Sequence, residues 1–327
     1  MNKLYPLKFT PILKDKIWGG SKLRNFPGKE KASEKCGESW EISTVGNNIS
    51  VVSNGFLKGN DLQELIEVYM GDILGDKVFD DYGIEFPLLI KFIEAKDVLS
   101  VQVHPDDELA FQRHNTRGKT EMWYIIDAEH DAKLISGFNK ELSQEEYLNY
   151  LNSGRLKEIL NYVSAVAGDI FFIPAGRVHA TGAGILLAEI QQASDITYRI
   201  YDWDRKDEKG NPRELHTKSA VDALDFTYHP EVKSLYSGKL NQTVEVVDNK
   251  YFTTNIIQLN TVVEKNFNFI DSFVVYICTE GEVSLEIEGL QSTVIKKGET
   301  VLVPAMIKQL LINPVVKSSL LEVYIKY

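Results

Sequence analysis

Three short segments carry residues able to hold a divalent ion. The first is Ser100-Val101-Gln102-Val103-His104-Pro105-Asp106-Asp107. Residues two apart on a strand share a face. Ser100, Gln102 and His104 therefore project together, and Val101 and Val103 point the other way. Polar groups on one face of an apolar strand need a partner or water. The second segment is Gly118-Lys119-Thr120-Glu121-Met122-Trp123-Tyr124, where Lys119 and Glu121 share a face by the same rule. The third is Pro174 to His179, whose histidine opens the next strand. Two histidines, one carboxylate and an amide oxygen suit one divalent ion. Zinc takes such ligands and keeps a position for water or substrate in catalytic sites. Two histidines and a carboxylate also suit non-haem iron. Glu121 has a plainer alternative as an ion-pair partner for Lys119. His114, His130, His216 and His229 read as surface or hydrogen-bonded residues, and Asp106-Asp107 as a turn or helix cap.

The elements that must position these residues are mostly short strands. Leu88–Ile93 and Val98–Val103 bracket the polar turn Glu94-Ala95-Lys96-Asp97. Met122–Ile126, Ile170–Ile173, Gly184–Ile190 and Ile196–Tyr201 read as further strands. Short strands spaced by turns indicate a sandwich or barrel. Asn60–Met70 has helical apolar spacing at Leu62, Leu65, Ile66 and Tyr69. Ser143–Tyr162 opens on a capping-box pattern and is expected to form two helices split at Gly154. The stretch Lys206–Arg213, with Gly210 and Pro212, reads as loop.

An internal repeat organises the chain. Residues 168–179 read GDIFFIPAGRVH, and residues 298–309 read GETVLVPAMIKQ. Each copy has a turn glycine, an acid, four strand residues and a proline that ends the strand. The pattern resembles the second half of a cupin barrel. His179 aligns with Gln309, so the second copy lacks the histidine. The expected fold is mainly β: two cupin-type (jelly-roll) β-barrels with a small helical segment in the N-terminal half. The expected domains are a metal-binding unit at 1–235 and a degenerate unit at 236–327.

The 327 residues fit roughly two domains at about 150 residues each. Hydrophobic residues at 43% exclude a disordered chain. No apolar run approaches the roughly 18 residues that span a bilayer. The N-terminal Met1–Pro6 does not read as a secretory signal. A net charge of −11 without a basic cluster argues against nucleic-acid binding. Two cysteines, Cys36 and Cys278, support no disulfide framework or zinc ribbon, so the expected setting is a cytoplasmic one with reduced thiols.

Taken together, the motifs resemble the type I mannose-6-phosphate isomerases, zinc enzymes of the cupin superfamily, in their short bacterial form. The resemblance rests on Trp18-Gly19-Gly20, Gly37-Glu38-Ser39-Trp40-Glu41, Leu99 to Asp106, Lys119-Thr120-Glu121-Met122 and Pro174 to His179. It continues through Tyr198 to Arg205 and Arg213-Glu214-Leu215-His216. It implies one zinc ion per chain on Gln102, His104, Glu121 and His179. It implies Arg199, Lys119 and Glu189 as catalytic residues, with Ser100, Lys91 and Trp18 around a sugar-phosphate substrate. Longer family members often carry a histidine just before the lysine matching Lys119. This chain has Gly118 there, so a mechanism using that histidine does not apply.

The implied reaction moves a proton between C1 and C2 of the open-chain sugar through an enediolate. It interconverts mannose 6-phosphate and fructose 6-phosphate. The metal stabilises the developing charge; Glu189 and Lys119 are the candidate bases, with Glu189 favoured and Lys119 and Arg199 then acting as electrostatic stabilisers. Two other functions compete: an iron-dependent cupin oxygenase, and a non-enzymatic sugar-binding cupin. Gln102 argues against the oxygenase, because its amide fills a position such enzymes leave open or give to histidine. The full ligand set of the first copy argues against the binding module. Oligomeric state is not readable from the sequence.

Overall fold

The computed structural model describes residues 3–206 and 210–327. Residues 207–209 of the expected Lys206–Arg213 loop, and Met1 and Asn2 of the N-terminal reading, lie outside the described residues. The chain is mainly β, arranged as two pairs of antiparallel sheets. Among the described residues, neither pair is joined into one continuous barrel sheet.

The first pair contains a six-stranded sheet in the order Ile12–Gly20, Cys36–Ile42, Leu88–Ala95, Ile185–Gln192, Glu121–Ala128, Ile170–Ile173. Its partner runs Tyr198–Tyr201, Val101–Val103, His179–Ala180, Lys133–Phe138, Leu160–Ser164. Ile93, Trp123, Ile125, Phe171 and Leu187 of the larger sheet pack with Leu134 and Val163 of the smaller one. The second pair has a five-stranded sheet around Thr253–Leu259, Ser318–Tyr324 and Val274–Glu280. A four-stranded sheet around Gln309–Pro314 and Glu282–Glu286 faces it.

The outer face of the six-stranded sheet meets the five-stranded sheet of the second pair. Ile90, Phe92, Met122 and Ile190 there share one buried core with Val275, Ile277, Leu302 and Leu321. Leu7 exchanges backbone hydrogen bonds with Leu302, tying the N-terminal segment to the second pair. The helix Leu62–Tyr69 forms as its apolar spacing predicts, capped by Asp61, which accepts from the Glu64 amide at 2.8 Å. Two short helices, Gly71–Leu74 and Asp76–Tyr82, follow it and were not expected. They dock on the second pair, where Asp271 accepts from the amides of Asp76 and Lys77.

The two repeats match hydrogen bond for hydrogen bond. Gly168 donates to Ile125 O and Gly298 to Cys278 O, each at 2.8 Å. Both glycines have φ near +90°, at 92° and 84°, a conformation glycine adopts without steric cost. Asp169 and Glu299 each accept from the amide three residues back, at 2.9 and 2.8 Å. Ile170–Ile173 and Thr300–Val303 are the corresponding strands.

One expected element is corrected. Gln144–Asn152 is a helix with the full capping box at Ser143 and Glu146. Gly154 ends it at φ 71°. A second helix does not follow; Leu156–Ile159 is one 3-10 turn and Leu160–Ser164 is a strand. That stretch pairs with Lys133–Phe138 at the sheet edge, and this tertiary pairing overrides its local helical spacing. Asp106 caps the helix Asp107–His114 as expected. Among the described residues, no helix is long and apolar enough to cross a membrane. Cys36 and Cys278 are buried and free.

Candidate active site

Four strands of the six-stranded sheet align one row of side chains. Trp40 is paired with Lys91, Lys91 with Glu189, and Glu189 with Trp123. Directly opposed residues share a face, so the row forms one wall of a cavity of about 370 Å³. Trp18, Ser100, Gln102, Lys119 and Arg199 also line it. All the residues predicted to bind substrate or do chemistry therefore meet in one cavity. Glu38, Lys16 and Arg213 line it too without having been expected. Glu38, Trp40 and Arg213 lay within the quoted motifs, but nothing local gave their side chains a job.

Glu189 is buried, and both its oxygens have donors. Lys91 Nζ lies 3.0 Å from Oε1 and Trp123 Nε1 2.9 Å from Oε2. Lys91 also donates to Gln191 Oε1 at 2.7 Å and sits over the Trp40 ring. Burial disfavours the Lys91 cation, but Glu189 and Glu38 outweigh it and raise its pKa above the ordinary value. Burial likewise opposes the Glu38 carboxylate, yet Lys91 and Lys16 hold its pKa below the usual range. The wall is thus an alternating network of charges, each satisfied by the next.

Beneath the cavity lie His104, Glu121 and His179, all buried. One ligand atom from each falls within 4.8 Å of the others. His179 lies in a strand and is paired with Gln102, and His104 directly follows the neighbouring strand Val101–Val103. Each imidazole is oriented through Nδ1, His104 by Ile196 O and His179 by Arg177 O, both at 2.8 Å. Such outer hydrogen bonds fix the tautomer and turn Nε2 inward as a ligand. His104 Nε2 is 3.5 Å from Glu121 Oε2, and His179 Nε2 is 3.4 Å from Glu121 Oε1. Lys119 Nζ forms an ion pair with Glu121 Oε2 at 3.0 Å.

Among the described residues, His104 Nε2 and Glu121 Oε1 lack a hydrogen-bond partner, and Glu121 Oε2 has only the Lys119 ion pair. Each unsatisfied buried group costs roughly 1–3 kcal/mol, more when charged. A divalent ion would satisfy all three. Two ligands about 2.1 Å from a tetrahedral ion lie about 3.4 Å apart, close to the separations found. The Gln102 amide points at the same place, with its nitrogen 3.2 Å from His179 Nε2. Turning the amide over by 180° exchanges its oxygen and nitrogen in place, and it would turn Oε1 inward. His104, Glu121 and His179 therefore fit a metal ion, with the Gln102 amide beside them.

Electrostatics point the same way. Burial and then Lys119 push the His104 pKa down to about 3, and burial lowers that of His179. Burial opposes the Glu121 carboxylate, but Lys119 and the imidazoles hold its pKa well below the usual range. Neutral imidazoles and a charged carboxylate are the protonation states that bind metal. Across the cavity Arg199 is half-buried; Nη1 donates to Glu214 O at 2.9 Å, and its backbone amide donates to His216 Nδ1. Arg213 is oriented by Asp202 through bonds of 2.7 and 2.5 Å.

Comparison with known proteins agrees with this geometry. Residues 6–141 match the model of the phosphomannose isomerase type I catalytic domain. Residues 242–318 match the mannose-6-phosphate isomerase cupin domain. The chain is 38% identical to a Bacillus subtilis mannose-6-phosphate isomerase, over 91% of this chain and 93% of that one. It is 35% identical to the Streptococcus mutans mannose-6-phosphate isomerase, over 93% of each. The crystal structure of the Bacillus subtilis mannose 6-phosphate isomerase superposes with a TM-score of 0.84 at 34% identity, covering 98% of this chain and 99% of that one. With both sheet pairs matched and the buried cluster in place, the chain belongs to the type I phosphomannose isomerase family.

Proposed function

We propose that the protein interconverts mannose 6-phosphate and fructose 6-phosphate at a single zinc ion. The observation that carries this reading is the buried His104–Glu121–His179 cluster with its unsatisfied atoms, set under a cavity lined by cations and tryptophans. Gln102, His104, Glu121 and His179 would hold the ion. When bound, zinc supplies Lewis-acid stabilisation of the negative charge that develops on the sugar oxygens.

The protein's own groups do the rest. Glu189 takes the proton from C2 and returns it to C1, by way of an enediolate, while the O2 hydroxyl proton passes to O1. Lys91 and Trp123 fix its two oxygens and leave lone pairs for the proton. Lys119 and Arg199 add positive charge next to the developing oxyanion. Ser100 and Lys91 bind the sugar phosphate by hydrogen bonding and charge, and Trp18 closes the apolar side. We also read each sheet pair as a cupin-type jelly roll, with residues 1–235 catalytic and 236–327 degenerate. The matching hydrogen bonds of the two repeats support that division.

A coupled isomerase assay on mannose 6-phosphate tests the function. Turnover should disappear on chelation and return with zinc, at one zinc per chain by elemental analysis. Chelator-insensitive turnover would remove the metal from the mechanism. No interconversion by the zinc-loaded protein would remove the substrate assignment.

A further inference from the structure

The segment leading into Glu121 belongs to no helix or strand. Residues 115–120 form an irregular connection, yet Gly118, Lys119 and Thr120 are buried. Buried amides outside regular structure need other partners. Gly118 N donates to Asp107 Oδ1 at 3.0 Å, and Thr120 N donates to Gln192 Oε1 at 2.8 Å. Gln192 Nε2 in turn donates to the same Asp107 oxygen at 2.9 Å. Lys119 N donates to Pro105 O at 3.0 Å, next to His104. Asp107 therefore holds both sides of the connection.

The other Asp107 oxygen faces the second sheet pair. Tyr251 Oη donates to Oδ2 at 2.7 Å, and Lys250 Nζ lies 3.4 Å away. Both residues sit in the turn between Gln242–Asp248 and Thr253–Leu259. Burial and then the Asp107 carboxylate raise the pKa of the Tyr251 phenol, which keeps it a donor. The approach is also close along the backbone. A Cβ on Gly118 would lie 2.4 Å from the Asp106 carbonyl carbon and 2.5 Å from Asp107 N.

We propose that Asp107, anchored by Tyr251 of the second sheet pair, is a positioning residue that sets Gly118–Glu121 against His104. This gives the degenerate half a role in the site: it holds the loop that delivers Lys119 and Glu121. The inference rests on the metal-site reading above.

The test compares Tyr251→Phe, Asp107→Asn and a control, Tyr236→Phe. Tyr236 also crosses to the first pair, donating to Gly168 O at 3.0 Å, but it bonds nothing in the site segment. Hydrogen–deuterium exchange of the full chain should rise about tenfold at Gly118 and Thr120 in the first two variants, or about 1.4 kcal/mol. Zinc release to a chelator should accelerate in parallel, and kcat should fall with KM little changed. Tyr236→Phe should leave all three as in the parent. Should Asp107→Asn not fold, Tyr251→Phe, which removes one hydroxyl, carries the same expected results. Parent-like exchange and zinc release in Tyr251→Phe would overturn the proposal. Faster exchange in a protein whose parent form does not turn over mannose 6-phosphate would support the link and remove the proposed function instead.

Discussion

Glu189→Gln removes one negative charge from the cavity wall and keeps the shape. In the parent, Lys91 Nζ lies 3.0 Å from Glu189 Oε1. At that separation two unit charges attract by about 5.5 kcal/mol at an effective dielectric of about 20. The glutamine keeps a neutral acceptor for Lys91, and Gln191 and Glu38 still face the ammonium. The variant also sheds the cost of burying a carboxylate. The net loss of stability is therefore expected near 3 kcal/mol, the lower end for breaking a buried pair. That corresponds to roughly 6–12 °C in Tm for a unit of this size. Loss of a general base costs about 10²- to 10⁴-fold in turnover, so kcat should fall much further than folding requires. The double variant Lys91→Met, Glu189→Gln reads the stability effect alone, since Lys91 is itself assigned to the substrate. It removes both members of the pair and leaves Lys16 to compensate Glu38, so its melting temperature should recover in part. The assay is coupled turnover at saturating mannose 6-phosphate on zinc-loaded protein, with a melt of each sample. A folded Glu189→Gln protein with kcat within about tenfold of the parent would refute the base assignment.

Other outcomes follow from the same geometry. His104→Ala and His179→Ala should each weaken metal binding by at least roughly 100-fold; elemental analysis after dialysis that still finds one metal per chain would contradict the ligand set. In chelated protein His104 is neutral when folded, down to about 3, against 6.5 unfolded. The unfolded chain thus binds more protons, and stability is lost as pH falls through the unfolded value. Between pH 7 and pH 5 the loss is about 2 kcal/mol from this residue, and His179 adds in the same direction. Equal urea stability at the two pH values would refute it. Gly118→Ala should lower stability by about 1–3 kcal/mol through overpacking against Asp106 and Asp107, and Gly118→His should be no better. Parent-like unfolding of the alanine variant would show that the helix start yields.

Local periodicity carried much of the fold into view. Period-two spacing put Ser100, Gln102 and His104 on one face, and the valines between them are fully buried. The capping signal at Ser143 worked because a cap is made by residues three apart. The strand Leu160–Ser164 was missed because its apolar spacing also fits a helix, and only its partner Lys133–Phe138 selects the extended form. Glu38 and Trp40 stood in a quoted motif, but their place in the cavity follows from how Cys36–Ile42 lies in register against Leu88–Ala95.

The sequence by itself determined the donor types, the faces they occupy and the repeat that divides the chain. Each of these depends on residues a few positions apart, where chain geometry alone sets direction. Only the tertiary structure decided that the free atoms of His104, Glu121 and His179 meet at one point. Their convergence depends on the register of strands far apart in sequence, and no local pattern encodes that register. The contact between Asp107 and Tyr251, 144 residues apart, depends on tertiary packing in the same way. It exists because burying the outer face of the catalytic sheet brings the second sheet pair against it.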